Sequence, residues 1–128
     1  MEKKFNLDER LINFAALIID VCEAMPKTFA GIHLGNQLLR SGTSPALHYG
    51  EAQAAESLAD FIHKMKVCLK ELRETYNCLR LIAIKNWLEN ISIAETLQES
   101  NELVAIFVTS ISTAQRKLHK PSIKQNER

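Results

Sequence analysis

Leu7, Leu11, Phe14, Ile18, Val21 and Met25 recur at alternating steps of four and three, the spacing of one buried helix face. Asn6 stands before the run as a cap for free amides, with Glu9 three residues later in the capping-box position. A second row, Ile12, Ala15, Ile19 and Cys22, widens the apolar surface beyond one seam, so this first helix needs cover on more than one side. Met25-Pro26 ends it, because proline lacks an amide hydrogen and restricts the residue before it.

From Thr28 to about Ala55 the pattern is harder to read, with Gly31, Gly35, Gly42, Pro45 and Gly50 in the way. Gly42, Ala46, Gly50 and Ala54 nevertheless fall every four residues, and a row of small side chains lets another helix approach closely. One helix kinked near Pro45 is the preferred reading, with Ser41 or Ser44 available to satisfy freed backbone groups. A break at Ser41–Pro45 between two helices is the alternative.

Ser57 followed by Asp60 marks the start of a third helix, with Phe61, Met65, Cys68, Leu72, Tyr76 and Leu79 as its seam and an end near Trp87. Ser92 and Glu95 open a fourth, whose seam is Ile93, Leu97, Ser100, Val104, Phe107, Ile111, Ala114 and Leu118. No strand alternation competes. The pattern predicts an all-α protein: an antiparallel up-down-up-down four-helix bundle over residues 1–118, followed by a mobile basic tail over 119–128.

Composition agrees with one soluble domain. The chain has 128 residues, enough to bury a core, with 46% hydrophobic and 24% charged residues and little glycine or proline. Cys22, Cys68 and Cys78 are an odd set without CxxC spacing, which favours reduced thiols in a cytoplasmic protein over a disulfide framework. The apolar run Leu11–Cys22 is interrupted by Asn13 and Asp20, which speaks against a membrane span or a signal peptide.

Net charge is only +1, so any case for nucleic acid rests on where the charges lie. His63, Lys66, Lys70, Arg73, Asn77 and Arg80 share one stripe of the third helix, and no acid interrupts it. The neighbouring line of Lys64, Glu71 and Glu74 is mixed, and Lys70 is placed to pair with Glu74. The stripe reads either as a phosphate track or as a solvated face whose long side chains cover apolar surface. In a homo-oligomer the stripe would repeat and concentrate its potential. Glu89, Glu95, Glu99 and Glu102 make the start of the fourth helix acidic, while Arg116, Lys117, Lys120, Lys124 and Arg128 follow with one acid, Glu127.

Catalytic patterns are weak. Asp60-x-x-His63 has the carboxylate–histidine spacing of a bundle metal site, but His48 and Glu51 run in the reverse order and no second half-site exists. Cys22 and Cys68 lie on apolar faces, where a thiol behaves as a small hydrophobe, and phosphate-loop spacing is absent. The expectation is a non-enzyme without metal or cofactor.

The segments QLLRSGTSPA, YGEAQAAES, DFIHKMK and LKELRET, in that order from residue 37 to residue 75, closely resemble one bacterial family of small four-helix-bundle proteins. That family includes the proteins encoded in intervening sequences of 23S ribosomal RNA genes and the accessory variability proteins of diversity-generating retroelements. The resemblance runs from FNLDER to about TAQRK and implies a bundle that assembles as a barrel-shaped homopentamer. The retroelement relatives bind nucleic acid and a reverse transcriptase through basic surfaces. The family-like basic positions here are Arg40, Lys64, Lys66, Lys70 and Arg73, and Arg80 extends the stripe. The resemblance therefore implies an oligomer that binds RNA, DNA or a nucleic-acid-handling protein. A pure assembly or adaptor protein is the first alternative, and a metal-dependent bundle enzyme a distant one.

Overall fold

The computed structural model describes residues 6–89 and 91–120. Four helices follow in order: α1 (Leu7–Glu23), α2 (Phe29–Gln53), α3 (Leu58–Lys85) and α4 (Ile93–His119). Each starts on a side chain that accepts from a free amide: Asn6 from Glu9, Thr28 from Gly31, Ser57 from Asp60 and Ser92 from Glu95. At α3 the Asp60 carboxylate reaches back past the cap residue and accepts from the Glu56 amide, a variant of the capping box. That helix ends at Lys85, short of Trp87, because Asn86 takes a left-handed conformation (φ 56°) that asparagine tolerates better than most residues. Residues 121–128, with Lys124, Glu127 and Arg128, lie outside the described residues; of the expected tail, His119 continues α4 and Lys120 caps it.

Each helix packs on its chain neighbour, and α1 meets α4 over a short stretch, which gives the up-down-up-down bundle. The α1 seam is buried at all six expected positions. In α3 the seam shifts by one at two places: Ile62 and Thr75 are buried, while Phe61 and Tyr76 are half-buried. In α4, Thr96 and Leu103 take core positions, Val104 moves to the flank and Leu118 is exposed. A Tyr49–Phe107 edge-to-face pair, centroids 6.0 Å apart, joins α2 to α4 across the bundle.

The core holds hydroxyls that a hydrophobic pattern does not show. Thr75 Oγ1 lies 2.8 Å from both Ser41 Oγ and the Glu71 carbonyl. The carbonyl can only accept, so Thr75 gives its one proton there and receives that of Ser41. Ser44 turns to the His48 ring instead, so both serines near Pro45 have partners other than the freed backbone. The helix continues through Pro45 as a single element. Ser100 is fully buried and its hydroxyl has no partner among the described residues.

The small-residue row divides. Gly42 is buried, and a β-carbon there would sit 2.7 Å from Ile18 Cγ2, so it sets the closeness of α1 and α2. Ala46 is half-buried, whereas Gly50 and Ala54 face outward, and a β-carbon at Gly50 would meet nothing within 4 Å. The other close approach is at Gly31, where a β-carbon would lie 2.1 Å from the Pro26 carbonyl oxygen.

Candidate nucleic-acid interface

The expected stripe on α3 is realised as an outer face. His63, Lys66, Lys70, Arg73, Asn77 and Arg80 are all exposed. They face outward because α3 buries the opposite line, Met65, Cys68, Leu72, Thr75, Leu79 and Ile82, against its neighbours. Among the described residues, none of Lys66, Lys70 and Arg73 takes part in an ion pair. The anticipated Lys70–Glu74 pair does not form, because Glu74 is taken by a residue from another helix.

That residue is Arg40 on α2. Its guanidinium donates to Glu71 at 2.8 Å and to Glu74, holding both acids of the mixed line toward the α2 side. These hydrogen bonds raise the arginine above its ordinary range. Arg40 is therefore a clasp between α2 and α3 rather than a free cation. Lys64 is likewise engaged, 2.7 Å from Asp60, and its hydrogen bond keeps that carboxyl below the usual range. Of the six basic residues anticipated, Lys66, Lys70, Arg73 and Arg80 share the open face, while Arg40 and Lys64 do not join it.

Arg80 differs from the other three. It donates to Asn77 Oδ1 at 3.1 Å, and its guanidinium carbon lies 5.7 Å from the centroid of the Tyr76 ring. This local arrangement is not apparent from the seam pattern, which places Tyr76 in the core; the Tyr-Asn-x-x-Arg spacing on one helix is the signal that could have found it.

Acids of α4 lie elsewhere. Arg10 on α1 grips Glu99 with two hydrogen bonds (2.6 and 2.9 Å) and reaches Glu102 at 2.6 Å. This binds the acidic side of α4 to α1. Glu102 is held below the ordinary carboxylate range, first by Gln98 and then by Arg10.

A second exposed feature is apolar. Ile12 and Ile19 on α1, and Ile32 and Leu39 on α2, are 49, 44, 55 and 42% exposed, each pair one heptad apart. Ile19, Ile32 and Leu39 line one shallow cavity between the two helices, with Cys22 and Gly35 at its floor. Chemistry at the cysteines is discouraged: burial pushes the Cys22 and Cys68 thiols up to about 11 and also raises Cys78. Among the described residues, no three histidine, cysteine, aspartate or glutamate side chains gather as a metal site. Among the described residues, no helix is long and apolar enough to cross a membrane.

The model of the 23S rRNA-intervening sequence protein family matches residues 3–109. The chain belongs to that family. A solved structure of a protein of unknown function from the S23 ribosomal protein family of Bacteroides thetaiotaomicron VPI-5482 shares 27% identity. The similarity covers 83% of this chain and 98% of that one, with a TM-score of 0.75. No curated protein matches the sequence. Family membership and fold thus agree, and the functional reading rests on the surfaces of the bundle.

Proposed function

We propose that this member of the family is a non-enzymatic, self-associating bundle that binds RNA or DNA along the outer face of α3. The observation that carries the reading is the open line of Lys66, Lys70, Arg73 and Arg80, beside acids already held by Arg40. Cations without a carboxylate partner can displace counterions from phosphates, and counterion release supplies most of the free energy of sequence-independent binding.

The expected result is binding to nucleic acid that weakens steeply with salt. Replacing Lys70 and Arg73 with alanine should lower affinity and flatten the slope of log affinity against log salt by about 0.7–0.9 per lost contact. Stability should stay within ~0.5 kcal/mol, because both residues are exposed. An intact protein that binds no nucleic acid at low salt would leave the adaptor reading in its place.

Self-association is supported by the heptad-spaced apolar rows on α1 and α2, a surface of the kind that a second copy covers. Light scattering should give a multiple of 14.5 kDa, with a pentamer expected, and Ile19→Glu with Leu39→Glu should shift it toward one chain. A wild-type mass of 14.5 kDa at micromolar concentration would remove the oligomer and the idea that repeated stripes reinforce one another.

A further inference from the structure

The α3 stripe runs along one outer face, and its surroundings restrict what can lie on it. From Lys66 to Arg80 it runs about 21 Å at ~1.5 Å per residue. A helix that reads a duplex enters the major groove, about 12 Å wide, and a helix with its side chains nearly fills that width. Here α3 is flanked by α2 and α4, which pack along it on either side. With neighbours at roughly 8–10 Å, only its outer face is free, so a curved duplex would touch the row tangentially. A flexible single strand can follow it from end to end.

The end of the row carries a second chemistry. Arg80 lies over the Tyr76 ring and is steadied by Asn77, so one guanidinium is held in place while most of its donors remain unused. Bases of single strands stack on arginine planes and aromatic rings, whereas paired bases present only their edges.

Building on the nucleic-acid reading above, we infer that the occupant of the stripe is a single strand. Its phosphates follow Lys66, Lys70 and Arg73, and an unpaired base stacks at Arg80 where that residue covers Tyr76. The charges give affinity and the Arg80–Tyr76 platform gives the preference for unpaired bases.

The test is fluorescence anisotropy at low salt with a labelled 20-nucleotide thymidine strand, an abasic strand of the same length and a 20-base-pair duplex. The full chain should bind the thymidine strand more tightly than either of the others. Arg80→Lys keeps the charge and loses the planar group; it should weaken thymidine-strand binding roughly fivefold or more and erase the margin over the abasic strand. Circular dichroism of that variant should match the wild type, which confirms that it is folded. Equal or tighter duplex binding by the wild type, or an unchanged margin in Arg80→Lys, would overturn the single-strand inference while leaving nucleic-acid binding intact. No binding to any of the three probes would remove both.

Discussion

Replacing Gly42 with alanine is expected to destabilise the bundle, and the same change at Gly50 to stabilise it. A β-carbon at residue 42 would lie 2.7 and 2.8 Å from the two γ-carbons of Ile18. Ile18 is fully buried, and its β-branched side chain has essentially one rotamer in a helix, so it cannot swing away. Overpacking of this kind costs about 1–3 kcal/mol, and the better helix propensity of alanine offsets about 1 kcal/mol of it. At Gly50 the propensity gain of roughly 0.5–1 kcal/mol stands alone, because no atom is within reach. Urea midpoints at constant slope measure both effects. Equal gains at the two sites would show that α1 and α2 are not locked by this contact. A loss at Gly50 would show that a second chain packs against it.

The second large effect is expected at the buried hydroxyls. Thr75→Val should cost about 1–3 kcal/mol, because it leaves the Ser41 hydroxyl in the core without an acceptor. Ser41→Ala should cost less, since Thr75 keeps its bond to the Glu71 carbonyl. The double variant should recover much of the loss, and the cycle isolates the pair. Ser100→Ala should be neutral or stabilising, as its hydroxyl lacks a partner among the described residues. A cycle with no coupling would mean that the two hydroxyls do not depend on each other.

Much of the architecture was legible in the chain. The caps at Asn6, Ser57 and Ser92 act through local hydrogen bonds, and the α1 seam holds over its short length. The longer helices departed from their expected seams because a strict seven-residue pattern drifts about 20° per heptad on a straight helix. Thr75 and Thr96 escaped because they are polar residues whose burial depends on partners in the fold. The stripe of Lys66, Lys70, Arg73 and Arg80 was readable from spacing alone. Arg40 was readable as a cation but not as a clasp, since its partners lie 31 and 34 residues away and only packing brings them together. The same tertiary pair removed Glu74 from Lys70, which local rules had joined.

Packing that joins each helix chiefly to its successor also bears on how the chain reaches this state. Contacts between neighbours in sequence keep relative contact order low, and helical bundles of that kind fold in microseconds to milliseconds. The α1–α2 hairpin is locked by Gly42 against Ile18, a contact that involves no residue of α4. That contact lies within the first 53 residues to be synthesised, so it can form before α4 is complete. The Arg10 grip on Glu99 and Glu102, spanning 89 and 92 residues, is then a late event that joins the first helix to the last.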